Sequence, residues 1–534
     1  MDEESCILLL DLPTSYGKTS ITISLSSLID SKENYLFDRI IHVLPMRSIA
    51  DELGNNIRDE LMKQYGDGEK KVEKRLAVQH MSSPGSPFFA KRIIVTTLDT
   101  FILNFVKMPP HELRKIFKYN VAHFEFPRSM IYTSIVLFDE FHLFSPLGSR
   151  ENERKSISSV VAAIKNLALT GVPVIVMTAT MPNNLKNTIK NILETSGVKV
   201  IDETYKFGRD YEFDKRISEK KITVEECVEA KGEQFIEKVV DKALENINKG
   251  LKTMIIVNSV EKAVRIYRRL KGYALLLHGK LPDKTRKKYI ERLENVRKYK
   301  DTDPEMAYKY QPDILVATQV IESGLNLSYD VLITESCPVD RLIQRIGRIA
   351  RFKEHNNGRV IIIDDPSYRL YDSKVTEDTF NFIKEPEIGK DLSKKCRELL
   401  NKVYSDEYVP LNHNLFEIMF YLDVFPRYDV SYSKRVFEAY KGFTDNFGII
   451  TVFSENNLCR EVSIGLSENR AKSILKKYRK VVEIGRSGKL NIVSIGEERL
   501  NSLLKGSLSL NLLKEGILGI AVNQIDEEVG LVEF

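Results

Sequence analysis

The sequence of 534 residues predicts an α/β fold: two consecutive domains built on parallel sheets, followed by a C-terminal domain of mixed α+β structure. Two observations predict this class. Short apolar runs with the length of buried strands alternate with longer stretches of helical character. Charged or hydroxyl-bearing residues follow these runs at once, as expected where ligands bind at the carboxyl ends of parallel strands. The alternation occurs twice, and we place the domains at residues 1–205, 206–370 and 371–534.

The most informative stretch is the apolar run Ile135–Phe138, which ends in two adjacent carboxylates, Asp139 and Glu140. Burying two acids together costs several kcal/mol unless a cation compensates for them. Mg²⁺ carried by a nucleoside triphosphate explains the pair, because one acid can hold the metal while the other orients the attacking water. Solvated acids at a strand end give the same short pattern, so the interpretation depends on a phosphate-binding loop upstream.

Such a loop follows the first apolar run of the chain. Residues 11–19, Asp-Leu-Pro-Thr-Ser-Tyr-Gly-Lys-Thr, lie between a predicted strand and a predicted helix, which is the context of a P-loop. Lys18 would reach the β- and γ-phosphates, Thr19 would bind Mg²⁺, and backbone N–H groups would cradle the anion. The loop departs from the common pattern at Leu12 and Ser15, where glycines are usual. We expect nucleotide contacts from Thr14, Ser15, Tyr16, Gly17, Lys18 and Thr19.

The next two predicted strands of the first domain also end in polar residues. Arg47 follows the second strand, and Thr96 and Thr97 end the third. Threonine hydroxyls at this position can contact a sugar–phosphate backbone, and they can equally serve the cap of a helix that starts near Asp99. The sequence leaves both roles open.

His142 follows the acid pair, and Thr178 and Thr180 end the last strand predicted in the first domain. These residues should therefore lie beside the same crevice as the acids. Residues 62–90 are charged and then Ser/Pro/Gly-rich, which predicts a surface excursion, and residues 203–232 are polar and predict a connector poor in strands.

The second domain repeats the pattern of strands with polar ends. One buried strand ends at Thr318, and Gly324 lies just beyond it. A later helix-like segment contains Gln344 and three arginines spaced three residues apart, which places their guanidinium groups on neighbouring ridges. A salt-bridged surface helix would give the same pattern, but the few acids nearby favour a cluster directed at phosphate. The arginines are Arg345, Arg348 and Arg351.

The remainder of the chain contains no set of residues that we assign to chemistry. Residues 365–395 have the composition of a linker, and residues 396–534 mix helical stretches with short apolar strands. Two basic segments, residues 284–300 and 470–480, are more typical of solvated helix faces than of nucleic-acid surfaces.

Composition indicates which partners, which compartment and which metal sites the sequence is compatible with. The 80 lysines and arginines nearly match the 75 acids, so the net charge of +5 permits a nucleic-acid partner without requiring one. The sequence has no apolar run of membrane-spanning length. The cysteines are far apart, which predicts reduced thiols in a cytoplasmic protein and no zinc or iron–sulfur site. They are Cys6, Cys227, Cys337, Cys396 and Cys459.

The ordered set of motifs resembles the superfamily 2 helicases of the DExH type, with two RecA-like domains across about residues 5–365. The set comprises the P-loop, Pro45–Arg47, Thr96–Thr97, Asp139–His142, Thr178–Thr180, Thr318–Gly324 and Gln344–Arg351. Within that superfamily, the segments Thr-Ala-Thr-Met-Pro, Val-Ala-Thr-Gln-Val-Ile-Glu and Asp-Arg-Leu-Ile-Gln-Arg-Ile-Gly-Arg are most similar to the CRISPR-associated type I helicase–nuclease family.

The resemblance implies a role for each matching residue. Asp139 would hold the water shell of Mg²⁺, and Glu140 would polarise the water that attacks ATP. Gln344, Arg348 and Arg351 would reach the triphosphate when the two domains close. Nucleic acid would be contacted by Arg47, Thr96, Thr97 and Thr318, while His142, Thr178 and Thr180 would couple hydrolysis to movement. Ala350 and Asn326 depart from the family pattern without removing a catalytic group.

The resemblance also implies a substrate and partners. It implies movement from 3′ to 5′ on single-stranded DNA and unwinding of duplex DNA. The family often carries an HD nuclease, but the sequence has no His-Asp dipeptide and its first strand is expected within the first ten residues. We therefore expect the stand-alone helicase form, with a separate HD nuclease and a crRNA-guided surveillance complex as partners.

Two other functions fit parts of the pattern. A general DNA-repair or RNA helicase of the same superfamily would share every motif and differ in the nucleic acid that stimulates it. A catalytically inactive ATP-binding scaffold that recruits a nuclease would share the fold, but the intact Lys18, Asp139, Glu140 and Arg348 argue against it.

Overall fold

The fold is described from a computed structural model of the chain. It describes residues 6–13, 16–29, 37–65, 68–80, 83–144, 154–179, 181–299, 302–322, 327–352, 356–404, 411–424, 430–445, 448–485 and 488–532. These residues form two compact units. Unit 1 comprises the described parts of Met1–Lys206 and Asp406–Gly448, and unit 2 comprises those of Phe207–Ser405 and Ile449–Phe534.

Unit 1 is built on an eight-stranded sheet with the order β4-β3-β5-β2-β6-β7-β1-β8. The strands are β1 Cys6–Asp11, β2 Arg39–Leu44, β3 Leu76–His80, β4 Ser83–Pro84, β5 Ile93–Thr97, β6 Ser134–Phe138, β7 Val174–Thr178 and β8 Lys199–Thr204. All neighbours pair in parallel except β3 and β4. The central strands β5, β6 and β7 are buried along their whole length, which explains their continuous apolar sequences.

Helices connect the parallel strands of unit 1. They are α1 Lys18–Leu28, α2 Arg47–Tyr65, α3 Glu69–Arg75, α4 Leu98–Phe105, α5 Leu113–Tyr119, α6 Glu125–Tyr132, α7 Lys155–Leu169 and α8 Asn183–Glu194. Because β1, β2, β5, β6 and β7 run parallel to one another, their carboxyl ends lie along one edge of the sheet, where the predicted site residues are found.

Unit 2 begins with a six-stranded parallel sheet of the order β11-β12-β10-β13-β14-β9. Its strands are β9 Lys221–Glu229, β10 Thr253–Ile256, β11 Ala274–Leu277, β12 Ile314–Ala317, β13 Val331–Glu335 and β14 Asn357–Asp364. Its helices are α9 Tyr211–Glu219, α10 Glu233–Asn248, α11 Val260–Arg269, α12 Asp283–Tyr299, α13 Pro304–Tyr310, α14 Val339–Ile346, α15 Ser373–Ile383, α16 Pro386–Gly389 and α17 Leu392–Val403.

The chain then returns to unit 1 with two helices, α18 His413–Val424 and α19 Ser431–Tyr440. Beyond α19, the Asp445 carboxylate accepts hydrogen bonds from the backbone N–H groups of Lys155 and Ser156, each at 3.1 Å. Asp445 thereby satisfies two of the free amide groups at the N-terminus of α7.

The last part of the chain belongs to unit 2 and forms a mixed five-stranded sheet, β16-β15-β19-β17-β18, with a separate two-stranded hairpin. The strands are β15 Ile450–Ser454, β16 Ile464–Leu466, β17 Lys480–Ile484, β18 Leu490–Ser494, β19 Ile517–Val522, β20 Ile525–Asp526 and β21 Leu531–Val532. The helices are α20 Glu468–Tyr478, α21 Glu497–Leu504 and α22 Leu508–Glu515.

The two parallel sheets and the mixed C-terminal sheet confirm the predicted fold class. The prediction was wrong for residues 203–232, which contain strand β9 at the edge of its sheet. Its residues are mostly polar and half-buried, so the sequence shows no clear alternation of apolar and polar residues. The prediction was also wrong for residues 365–395, where α15, α16 and the start of α17 replace the predicted linker. The predicted third domain, residues 371–534, is divided between the two units.

None of the helices in the described parts of the chain is long and apolar enough to cross a membrane.

Candidate nucleotide-binding site

The predicted phosphate-binding loop joins β1 to α1 in unit 1. Gly17 immediately precedes α1 and has φ +96°, a left-handed conformation that favours glycine over other residues. The free N–H groups of the first turn of α1 and the helix dipole make this end of the helix suited to an anion. Tyr16 lies beside Tyr205, with ring centroids 4.8 Å apart. Thr14 and Ser15 lie outside the described residues.

The structure brings the loop together with the acid pair. Lys18 Nζ lies 3.2 Å from each carboxylate oxygen of Glu140, and only 8% of the Lys18 surface is exposed. Glu140 has φ +51°, an uncommon conformation for a residue with a side chain. The sharp turn after β6 therefore directs Glu140 towards α1.

Asp139 directly follows β6, and its carboxylate is anchored by its neighbours. The backbone N–H of Asp139 donates to the carbonyl oxygen of Val43 at 3.0 Å, and Asp139 Oδ1 accepts the backbone N–H of Glu140 at 2.7 Å. Burial alone would raise the pKa of Asp139, but the His42 imidazole, the Lys18 ammonium and the Glu140 N–H lower it below its ordinary value. Asp139 is therefore a carboxylate at neutral pH.

His42 is the neighbour of Asp139 that sequence reasoning missed. It lies in β2 and is fully buried, with Nε2 3.4 Å from Asp139 Oδ2 and Nδ1 2.7 Å from Thr22 Oγ1 on α1. A histidine inside an apolar strand was the signal available in the sequence, because buried polar side chains need partners.

His142 and Thr178, the predicted coupling residues, contact each other. His142 Nδ1 lies 3.2 Å from Thr178 Oγ1 and 3.6 Å from Glu140 Oε2, and both His142 and Thr178 are fully buried. Thr178 also pairs in register with Asp11, the last residue of β1. The contacts connect the acid pair with the ends of β1 and β7. Thr180 lies outside the described residues.

The residues predicted to contact nucleic acid in unit 1 differ in exposure. Arg47 begins α2 and is half-buried. Thr96 is fully buried and its hydroxyl donates to the carbonyl oxygen of Gln79 at 2.6 Å. The hydroxyl groups of Thr97 and Thr100 are 3.2 Å apart. The Thr96 side chain thus has a partner inside unit 1, and contacts of these residues with nucleic acid stay a prediction.

Of the predicted residues of unit 2, Thr318 follows β12, Gln344 lies in α14, and the arginines Arg348 and Arg351 follow α14. Thr318 and Gln344 are buried, and Arg348 Nη2 donates to the carbonyl oxygen of Glu322 at 2.6 Å. The backbone N–H of Arg351 donates to Ser328 Oγ at 2.8 Å. Gly324 lies outside the described residues.

Arg345 forms its hydrogen bonds within unit 2, although the sequence predicted that it belongs to a cluster directed at phosphate. It is fully buried, and its guanidinium donates to Glu322 Oε1 at 2.9 Å, Thr334 Oγ1 at 2.8 Å and Asn258 Oδ1 at 2.8 Å. These bonds hold α14 against the ends of three strands, so Arg345 stabilises the fold beside the other two arginines.

The donor set fits Mg²⁺ brought by a nucleotide. Among the described residues no three His, Cys, Asp or Glu side chains are grouped as metal ligands. Mg²⁺ bound with a triphosphate needs only one or two protein oxygens, because phosphate and water supply the others. The Asp139 carboxylate and the Thr19 hydroxyl, in the first turn of α1, are oxygen ligands of this kind.

Two protein-family models match parts of this chain. A DEAD/DEAH box helicase model matches residues 3–188, and a model described as CRISPR-associated nuclease/helicase Cas3, C-terminal, matches residues 249–354. The putative CRISPR-associated nuclease/helicase Cas3 of Methanocaldococcus jannaschii is 27% identical over 406 residues, which are 73% of this chain and 49% of the relative. The CRISPR-associated helicase Cas3 of Thermoproteus tenax is 25% identical over 352 residues, 65% of this chain and 54% of the relative.

The chain spans about half the length of these two curated relatives. The crystal structure of T. fusca Cas3-ATP is similar with a TM-score of 0.55 at 15% identity, covering 92% of this chain and 63% of that chain. At this identity the likeness shows the fold. The matched models, these relatives and the fold together support a Cas3-type helicase of superfamily 2.

Proposed function

We propose that the chain hydrolyses ATP with Mg²⁺ and uses the reaction to move along DNA. The observation that carries this proposal is the contact of Lys18 with Glu140 at the N-terminus of α1, beside the ionised Asp139. A phosphate-binding lysine, a metal-binding acid and a water-orienting acid are the groups that phosphoryl transfer to water requires.

Each site residue of unit 1 has a distinct role in this proposal. The α1 N-terminus and Gly17 receive the phosphates, and Tyr16 lies at the edge of the same loop. Mg²⁺, held by Thr19 and Asp139, supplies charge neutralisation at the phosphates. With Lys18 bound to the triphosphate, the Glu140 carboxylate would accept a hydrogen bond from the attacking water.

We further propose that Gln344, Arg348 and Arg351 stabilise the charge that develops on the triphosphate. An arginine in this role is worth about 10³–10⁵ in rate. The contributions of Thr14, Ser15, Thr180 and Gly324 rest on the resemblance of the sequence alone. Coupling of hydrolysis to movement is assigned to His142 and Thr178, whose side chains contact each other.

The names of the relatives support the CRISPR context of this proposal. They are CRISPR-associated helicases or nuclease/helicases. We propose that this chain moves from 3′ to 5′ on single-stranded DNA and unwinds target DNA in type I CRISPR interference. A separate HD nuclease and a crRNA-guided surveillance complex are the proposed partners, and Thr97 and Thr318 are proposed to contact the DNA backbone.

The steady-state ATPase rate tests this function. The rate is measured with Mg²⁺, alone and with single-stranded DNA, duplex DNA or RNA, and Lys18→Ala serves as the blank. We expect stimulation by single-stranded DNA. Stimulation by RNA with no response to DNA would favour an RNA helicase and overturn the DNA assignment.

Glu140→Gln separates an active motor from an inactive scaffold. The amide keeps the size of the side chain but is a poor acceptor for the attacking water, so we expect hydrolysis to fall at least about 10²-fold while ATP still binds. Binding is measured with a fluorescent ATP analogue. An unchanged ATPase rate in this variant would contradict the proposed role of Glu140.

A further inference from the structure

His42 is a buried histidine that belongs to none of the helicase motifs. It interrupts the apolar strand β2, and its side chain has no exposed surface. Burying an imidazole is costly unless its nitrogens find hydrogen-bond partners. Nδ1 has such a partner in Thr22, but Nε2 makes no hydrogen bond of normal geometry to any described residue.

The group that Nε2 faces is the Asp139 carboxylate. The distance from Nε2 to Asp139 Oδ2 is 3.4 Å, a few tenths of an ångström beyond the usual hydrogen-bond range. Because a carboxylate only accepts hydrogen bonds, this neighbour favours the tautomer with the proton on Nε2. Nδ1 then accepts a hydrogen bond from the Thr22 hydroxyl, which can donate as well as accept, so one tautomer satisfies both contacts of the ring.

The two oxygens of Asp139 are thus approached by different donors. Oδ1 accepts the backbone N–H of Glu140 at 2.7 Å, and Oδ2 faces His42 Nε2. Two donors in fixed positions set the plane of a carboxylate, while its remaining lone pairs stay available to a metal or to the metal's water.

Thr22 connects this support to the phosphate-binding helix. It lies on α1 four residues after Lys18, on the same face of the helix, and is fully buried. The contacts therefore run from α1 through Thr22 and His42 to Asp139.

We propose that His42 is a positioning residue that orients the Asp139 carboxylate for Mg²⁺ and ties that carboxylate to α1 through Thr22. The inference rests on the proposed function, because it assigns Asp139 to Mg²⁺. His42 itself contacts neither nucleotide nor metal in this proposal. Its loss should weaken the use of Mg²⁺ while leaving metal-free nucleotide binding unchanged.

The test compares His42→Phe, which keeps a ring but has no donor, with the unchanged protein. The first readout is the Mg²⁺ concentration that gives half-maximal ATPase. The second is the Mg²⁺-dependent gain in affinity for a fluorescent ATP analogue, measured in the Glu140→Gln background so that hydrolysis does not interfere. We expect the Mg²⁺ requirement to rise about 10-fold in both readouts, since losing a partner of a metal ligand typically costs that much or more.

Two further variants separate positioning from general damage. His80→Phe removes another buried histidine of the same sheet, whose Nε2 lies 2.9 Å from Asp51 Oδ1, and it should leave the Mg²⁺ requirement unchanged. His42→Gln restores a donor and should recover most of the Mg²⁺ response. An equal rise in the Mg²⁺ requirement of His80→Phe and His42→Phe would overturn the proposal.

Thr22→Val keeps the proposal testable if His42→Phe fails to fold, as judged by its thermal unfolding without nucleotide. This variant removes the hydroxyl that Nδ1 faces, and it should raise the Mg²⁺ requirement severalfold. A Mg²⁺ response identical to that of the unchanged protein, in His42→Phe or, if that variant does not fold, in Thr22→Val, would overturn the proposal. If Mg²⁺ does not affect nucleotide binding even in the unchanged protein, the proposed function fails instead.

Discussion

At the scale of single residues, Glu112 is a buried acid whose charged form is stabilised by its neighbours. Its carboxylate accepts hydrogen bonds from the backbone N–H of His123 at 2.6 Å and from Lys115 Nζ at 2.8 Å. Burial would raise the pKa of Glu112, but Lys115 and His123 lower it from 4.5 to about 2. The charged form is therefore favoured in the folded protein.

This pKa shift predicts how the stability of unit 1 depends on pH. A carboxylate whose folded pKa is depressed contributes stability above its unfolded pKa of 4.5, and this contribution is lost as the pH falls towards 2. We expect Glu112→Gln to lower the free energy of unfolding by roughly 2 kcal/mol at pH 7 and to weaken its dependence on pH below 5. Denaturant unfolding measured from pH 3 to pH 7 checks this.

Glu125→Gln is the matched control, because Glu125 pairs with Arg128 at 3.4 Å while its own side chain is mostly exposed. Exposed pairs contribute little, so this variant should unfold like the unchanged protein. A similar loss of stability in both variants would contradict the role assigned to Glu112.

The sequence predicted the charged centre of the candidate site better than its support. Lys18 and Glu140 were assigned to one site from the order of their motifs, and the structure places them 3.2 Å apart. His42 was missed because it lies inside the apolar strand β2, whereas the sequence analysis looked for site residues at the ends of strands. The burial of Thr96 was also not predictable, since its partner, the Gln79 carbonyl, belongs to a strand that the sequence did not reveal.

At the scale of elements, the hairpin formed by β20 and β21 attaches the end of the chain to the first sheet of unit 2. His278, which follows β11, is buried, and burial lowers its pKa to about 4, so the imidazole is neutral at pH 7. Its Nε2 lies 2.9 Å from the carbonyl oxygen of Val529. The Thr285 hydroxyl on α12 donates to the carbonyl oxygen of Glu527 at 2.8 Å.

Gly530 makes this attachment possible. Its φ is +61°, and a Cβ at this position would overlap the backbone of Lys280. We expect Gly530→Ala to detach the hairpin and to destabilise unit 2 by at least about 2 kcal/mol, because backbone strain and a backbone clash add. Thermal unfolding and limited proteolysis within residues 525–532 measure both effects.

Gly506→Ala is the matched control for that variant. Gly506 has φ +77°, but a Cβ there would have no atom within 4 Å, so the substitution adds strain without a clash. We expect a cost of about 1 kcal/mol and no new cleavage in the hairpin. Equal effects of the two substitutions would mean that the approach to Lys280 is unimportant.

Buried strands were the most predictable elements, and edge strands were the least predictable. The buried strands β5, β6 and β7 are continuous apolar runs, so composition alone identifies them. Strand β9 lies at the edge of its sheet and has mostly polar, half-buried residues, which give neither an apolar run nor a clear alternation.

At the scale of the whole molecule, the order of the chain does not follow its compact units. Residues beyond 405 return to unit 1 before the chain continues in unit 2. Sequence patterns report the period within a segment and not the partner against which the segment packs. The predicted domain of residues 371–534 therefore contains parts of both units, and its role as a separate domain stays a prediction.

The returning segment completes the core of unit 1. Helix α18 packs against α7, the Ser159 hydroxyl donates to the carbonyl oxygen of Phe443 at 2.7 Å, and the hydroxyl of Thr444 donates to the Asp99 carboxylate. Several large apolar side chains of the segment have almost no exposed surface. They are Leu415, Met419, Phe437 and Phe443.

This arrangement predicts the outcome of two truncations. A chain that ends at residue 405 lacks the returning segment, whereas a chain that ends at residue 448 keeps it, and both lack the end of unit 2. Burying each large apolar side chain of the returning segment contributes about 1.5–3 kcal/mol, so we expect the shorter chain to unfold about 10 °C or more below the longer one. We also expect the longer chain to bind a fluorescent ATP analogue through Lys18, with Lys18→Ala as the blank. Equal unfolding midpoints for unit 1 in the two chains would show that residues 406–448 add nothing to its core, and Phe443→Ala in the full chain should then be silent as well.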